Sequence, residues 1–238
     1  MIDSAVSLLF DPDRALPRLP GFGPAPVLRL PVSRCQGCRL PQHLCICASL
    51  PRLRFPTRLV LLIHWREYVR LSNTGLFAWQ IFDNAALYVH GHPAQRGARF
   101  AFPVDDRTLV LHPLAQESDA RDPALTEAGP PRSLVEIDPA RGPFTVLVPD
   151  GSWPQTRRMV RRIPALQKAA RVVLPPGLPS GYGALRHAQR PGQLSTLEAI
   201  AAVLGHLEGP EVVSALEEVF ERFVRAFLAS RGEGGLRS

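Results

Sequence analysis

Four short apolar runs constrain this chain most: TRLVLLIH (57–64), RTLVLHP (107–113), FTVLVP (144–149) and ARVVLP (170–175). Each is short for a helix and continuous rather than alternating, the pattern of strands buried on both faces. Helical periodicity fills the gaps. Leu76, Trp79, Phe82, Ala86 and Val89 form a stripe that predicts a helix over 74–89, with Ser72 or Asn73 as its N-cap. Ser152 and Gln155 complete a capping box, so a helix is expected from Trp153, with Pro154 tolerated in its first turn. Ser195 and Glu198 make a second box, opening a helix to about His206. A last helix is expected from near Pro210, burying Val212, Leu216, Val219, Phe220, Phe223 and Phe227, with Glu218–Arg222 and Glu221–Arg225 paired outside. Strands alternating with helices predict an α/β domain with a mostly parallel sheet and flanking helices.

The rest of the chain divides around that domain. Residues 1–33 are rich in Pro and Leu without a period and read as an extended arm. Residues 34–50 hold all the cysteines, and 51–238 carry the α/β pattern. Within it, 115–143 reads as a loop with a short strand at 134–137. No apolar run approaches the ~20 residues that span a bilayer. The N-terminus lacks a basic start and a long apolar core, so no membrane association is expected and the cytoplasm is the expected compartment.

The four cysteines follow C-x2-C-x6-C-x-C: Cys35, Cys38, Cys45 and Cys47. Two close pairs separated by a short loop can give four thiolates to one tetrahedral ion, which points to structural zinc. His43 is a substitute ligand, and an iron–sulfur cluster is the other metal reading.

The net charge is +7 with a pI near 10.0. Such a balance suits a polyanionic partner. Lys168 is the sole lysine, however, and so strong a preference for arginine also fits a GC-rich coding sequence. Placement carries more weight than total. In VLVPDGSWPQTRRMVRRIP (146–164) a buried strand ends at Asp150, and the helix that follows carries Arg157, Arg158, Arg161 and Arg162 as two i,i+4 ridges. Asp-Gly is a common turn pair, and the arginines suit a solvated face. They equally suit phosphate contacts beside a carboxylate that acts on a base. A second polar constellation, HWREYVRLSNTG (64–75), follows a strand and brings His64, Glu67, Arg70, Asn73 and Thr74 together at a helix start.

These segments together resemble the DTW-domain family of tRNA-uridine aminocarboxypropyltransferases, in the SPOUT superfamily. CQGCRLPQHLCIC resembles its C-x2-C-x2-P-x3-C-x-C segment, and HWREYVRLSNTG its H-x2-E-x2-R-x2-N-T-G segment. DGSW is similar to the D-x-T-W motif, with Ser152 for the usual threonine; LRHAQRPGQLSTLEA resembles the loop leading into L-S-T-x-E-A. The match runs over about 34–204.

The resemblance implies a SPOUT-like fold with a C-terminal trefoil knot and a small N-terminal four-cysteine zinc segment. It implies transfer of the 3-amino-3-carboxypropyl group of S-adenosylmethionine to N3 of a tRNA uridine, forming acp3U and releasing methylthioadenosine. Asp150 then becomes the candidate general base, or else a ligand of the donor ammonium. Ser152 caps the helix beside it, and Trp153 packs on a substrate or anchors the loop. Leu147, Val148 and Pro149, Leu174, Pro175, Gly177 and Leu178, and Leu194, Ser195, Thr196 and Glu198 are expected to line the donor pocket. His64, Glu67, Arg70, Asn73, Thr74, Arg157, Arg158, Arg161 and Arg186 are candidate substrate contacts. A SPOUT-type RNA methyltransferase and a non-catalytic zinc-stapled RNA-binding module remain as alternatives, as do monomer and homodimer.

Overall fold

A computed structural model describes residues 28, 30–93, 100, 102–111, 130–181 and 194–234. Its centre is a six-stranded sheet of β1 (Arg58–His64), β2 (Ala85–His90), β3 (Thr108–Leu111), β4 (Arg132–Ser133), β5 (Thr145–Asp150) and β6 (Ala170–Val173). The order is β2-β1-β5-β3-β6-β4, and every pairing is parallel. β2 lies on one side of β1 and β3 on the other, leaving a central slot that β5 fills later. Asp150, the last residue of β5, therefore sits at the middle of the sheet's carboxyl edge, where open α/β sheets bind ligands.

The continuous apolar runs have a simple cause. Leu59, Leu61, Ile63, Val146 and Val148 face one core layer, while Val60, Leu62 and Leu147 face the other. The first layer is closed by α2 (Gly75–Ile81), α5 (Thr196–Glu208) and α6 (Pro210–Gly234). The second is closed by α3 (Trp153–Arg162) and α4 (Pro164–Lys168), through Met159, Val160, Ile163 and Leu166. A short α1 (Trp65–Tyr68) turns the chain off β1. The six apolar residues expected along α6 are all buried. Glu218 and Arg222 pair there; no Glu221–Arg225 pair occurs among the described residues.

Two further local expectations fail. The 74–89 stripe is half helix and half strand. α2 ends at Ile81, Asp83 and Asn84 make a turn, and Ala86–Val89 become the buried middle of β2. A strand covered on both faces has no period of its own, so its apolar residues fell on helical spacing by chance. The short strand expected at 134–137 lies at Arg132–Ser133 instead. Ser133 and Glu136 form a capping box that turns Leu134–Glu136 into a 3-10 helix. The implied knot depends on the chain between β6 and α5, of which 182–193 lie outside the described residues, as does the 1–27 part of the arm.

Candidate active site and metal centre

Asp150 is 7% exposed, and two separate segments, around 73–75 and at 196, close on its carboxylate. Oδ2 accepts from Asn73 Nδ2 at 2.7 Å, and Oδ1 accepts from Thr196 Oγ1 at 2.8 Å. Gly75 packs so tightly that a Cβ there would stand 2.7 Å from Oδ2. The alternation of β5 explains the arrangement: Val146, Val148 and Asp150 share the face that packs on α2 and α5.

The neighbours are fixed by helix-end chemistry. Asn73 Oδ1 accepts from Leu76 N at 3.1 Å, which leaves its amide aimed at Asp150. Thr74 Oγ1 accepts from Leu197 N at 3.4 Å, and Ser195 Oγ accepts from Glu198 N at 3.2 Å. Two first-turn amides of α5 are thereby satisfied, and the β1–α2 loop is tied to the α5 start. Glu198 holds the chain after β6 as well, accepting from Gly181 N at 2.7 Å and from Ser180 Oγ at 3.2 Å. Beside it lies a groove of ≈ 630 Å³ whose walls include Leu178, Leu194, Leu197, Glu198 and Phe220.

Thus Asp150, Asn73, Thr74 and Thr196 converge, with Ser195 and Glu198 one step behind. Leu174, Pro175, Gly177 and Leu178 follow β6 towards the groove, and Gly177 adopts a φ of 80°, a conformation that favours glycine. Leu147, Val148 and Pro149 are buried in β5, with Leu147 and Val148 on opposite faces. Ser152 closes its capping box with Gln155, whose Oε1 accepts from Ser152 N at 2.8 Å, and Trp153 stands half-buried at the start of α3. Arg186 lies outside the described residues.

The arginine helix is not beside the carboxylate. α3 lies across the sheet from the Asp150 side chain, in the second core layer. Arg158, Arg161 and Arg162 are exposed on it and Arg157 is half-buried. His64 ends β1 on that same side, and its Nδ1 accepts from Arg66 N at 3.2 Å as the cap of α1. Glu67 is buried and bonds Arg70 Nε at 3.1 Å. These two brace the turn that leads to Asn73.

The ligand atoms of Cys35, Cys38, Cys45 and Cys47 all lie within 4.8 Å of one another. Cys35 Sγ and Cys47 Sγ are 3.5 Å apart, and Cys38 Sγ and Cys45 Sγ 3.8 Å. Thiolates ~2.3 Å from one tetrahedral ion stand ~3.8 Å apart, so the four can hold a metal ion. The neighbouring thiols push Cys47 well up and Cys35 well down, and the Cys35 sulfur raises Cys38 to about 12. Only a cation lets all four ionise together. Gly37 makes room for the cluster: a Cβ there would come within 2.9 Å of Cys47 Sγ.

Sequence reasoning missed Gly75, Arg39 and His90. Gly75 stands in a quoted motif, but its contact across to Asp150 is tertiary. Arg39 lies inside the cysteine loop with a φ of 66° and is 5% exposed. Its guanidinium donates to the carbonyls of Tyr68 and Arg70, the latter at 3.1 Å, and covers the Tyr68 ring at 4.9 Å. Burial lowers its pKa to about 10, leaving it a cation at neutral pH. The cysteine cluster is thereby fastened to the turn that presents Asn73.

The DTW domain family model matches residues 32–228. The tRNA-uridine aminocarboxypropyltransferase 2 of Drosophila melanogaster is 29% identical over 192 residues, covering 77% of this chain and 70% of that protein. No solved structure matches significantly. The cysteine centre and the clasped Asp150 both fall within the matched span, and the chain belongs to the DTW domain family.

Proposed function

We propose that this chain modifies tRNA, moving the 3-amino-3-carboxypropyl group of S-adenosylmethionine to N3 of a uridine. The family, and the named activity of the Drosophila relative, support that reaction class. The observation that carries the residue-level reading is the buried Asp150 carboxylate, held at both oxygens by Asn73 and Thr196 at the sheet's carboxyl edge.

Uridine N3 carries a proton and attacks poorly until it leaves. Asp150 takes that proton as a bond forms between N3 and the donor's Cγ; the Cγ–sulfur bond breaks, and its electron pair neutralises the sulfonium as methylthioadenosine departs. The donor supplies an electrophilic carbon already primed by its sulfonium charge. Asn73 and Thr196 fix where the carboxylate points, so one lone pair of each oxygen stays directed by protein. Positioning of the two substrates supplies much of the acceleration.

The ≈ 630 Å³ groove falls in the range of nucleoside-sized ligand pockets, and its Leu178, Leu194 and Leu197 walls suit the donor's apolar surface. The exposed arginines of α3 are the phosphate contacts in this reading. Zinc in the four-cysteine centre is structural, because all four ligands come from protein.

Asp150→Asn tests the reading. Transfer of label from the donor's aminocarboxypropyl chain to tRNA falls roughly 10²–10⁴-fold while the thermal transition is kept. Wild-type transfer by that variant removes Asp150 from the chemistry.

A further inference from the structure

Across the sheet from Asp150, the β1–β2 edge sets two histidines that the reaction above does not use beside the arginines of α3. His64 and His90 are register partners on adjacent strands, with ring centroids 6.4 Å apart. Alternation along β1 and β2 turns both toward α3, following Leu62 and Tyr88 of the second core layer. Arg158 acts on His64 from that helix, and Arg162 acts on His90. Among the described residues no carboxylate pairs with Arg158 or Arg162. Glu67, the acid that acts on His64, is bonded to Arg70.

A solvated basic face would need no order, yet this one has it. His64 Nδ1 accepts from Arg66 N, so the proton of the neutral ring sits on Nε2. The residue packed against that nitrogen is Gly91, with a φ of 79°; a Cβ there would stand 3.4 Å from Nε2. Glycine thus keeps a side chain off that donor, which has no partner among the described residues. His92 continues the edge, its ring 4.3 Å from that of Trp65. Both His64 and His90 are half-buried, and their pKa values lie below the ordinary imidazole value of 6.5. Burial is the first cause for each. For His64, His90, Arg66 and Arg158 add to it against Glu67; for His90, Arg162 does. Two imidazoles and two guanidiniums thus meet at one edge with no carboxylate paired to the guanidiniums among the described residues, an arrangement that suits an anion.

We infer that the His64–His90–Arg158–Arg162 edge binds one backbone phosphate of the RNA, and that His90 takes up a proton when the phosphate arrives. The inference rests on the tRNA reading above. β1 and β2 lie one and two strands from β5, ~5–10 Å along the same carboxyl edge though on its other face, so the phosphate belongs to a nucleotide within a few of the target base. His64 donates from Nε2 as a neutral ring, because protonating Nδ1 would break the cap of α1. Among the described residues His90 makes no hydrogen bond that protonation would break, and it is the group that titrates. An anion favours its charged form, so bound His90 has the higher pKa, and affinity rises as pH falls through the region around and below 6.5.

The test is tRNA binding by the full-length protein across pH and salt. Wild type binds roughly 5–10-fold tighter at about pH 6 than at about pH 8, and His90→Gln abolishes most of that difference. Arg162→Gln, a change at an exposed helical position, weakens binding at all pH values and lowers the salt slope by about 1; Arg162→Lys restores the slope. A His90→Gln protein with unchanged pH dependence, or an Arg162→Gln protein with unchanged slope, overturns the inference and leaves the tRNA reading standing. Wild-type protein with no affinity for tRNA overturns both.

Discussion

Asn73 joins a helix start to the candidate base: its carbonyl accepts from Leu76 N, and its amide donates to Asp150 Oδ2 across 2.7 Å. Asn73→Asp keeps the first bond and sets two carboxylates against each other. Like charge raises the pKa of the pair, so one proton is retained until higher pH. The rising limb of transfer rate against pH should therefore move to higher pH. A pH–rate profile unchanged from wild type would show that Asn73 does not tune the acting group.

Gly75 is the closest wall of the site. A methyl group at 75 would lie 2.7 Å from Asp150 Oδ2 and 3.3 Å from Thr196 Cγ2, and neither can swing away without losing its bond to the other. Gly75→Ala should cost about 1–3 kcal/mol and most of the activity. Thermal melts and transfer rates check it; a variant as stable and active as wild type would mean the clasp is loose.

Arg39 is expected to serve the site from a distance. Its bonds hold the carbonyls of Tyr68 and Arg70 just before the Asn73 loop. Arg39→Met keeps the bulk and removes the donors, which should cost about 2 kcal/mol, or ~4–8 °C of melting temperature. Zinc content should stay unchanged while transfer falls, since the cysteines are intact. Equal loss of zinc and stability would instead make Arg39 a part of the metal loop alone.

Metal removal should act on folding before chemistry. The cysteine segment shares the core of the sheet through Cys35, Cys38, Leu40 and Cys47. Purified protein should carry one zinc per chain, and stripping it should lower the melting temperature and loosen the Arg39 contacts. Protein without zinc that melts at the same temperature would contradict a structural centre.

The sequence carried the sheet because strands buried on both faces leave continuous apolar runs, and it carried α3 and α5 because capping boxes are local. Asp150, Asn73, Thr74 and Thr196 could be singled out from motifs, but not their convergence across 123 positions of chain, as between Thr74 and Leu197. β2 was hidden because Ala86 and Val89 mimic a helical stripe. The side of the sheet taken by Arg158 and Arg162 was also invisible. Period 2 tells that two faces exist, not which helix covers which. Arg39 carries no signal of its own in the sequence, because its φ of 66° and its burial come from tertiary packing.

The most direct test incubates purified protein with unmodified tRNA and S-adenosylmethionine and identifies the small-molecule product by mass spectrometry. The account predicts methylthioadenosine, with uridine in the tRNA gaining one aminocarboxypropyl group. S-adenosylhomocysteine with a methylated nucleoside would contradict it, and would make this clasped carboxylate part of a methyltransferase.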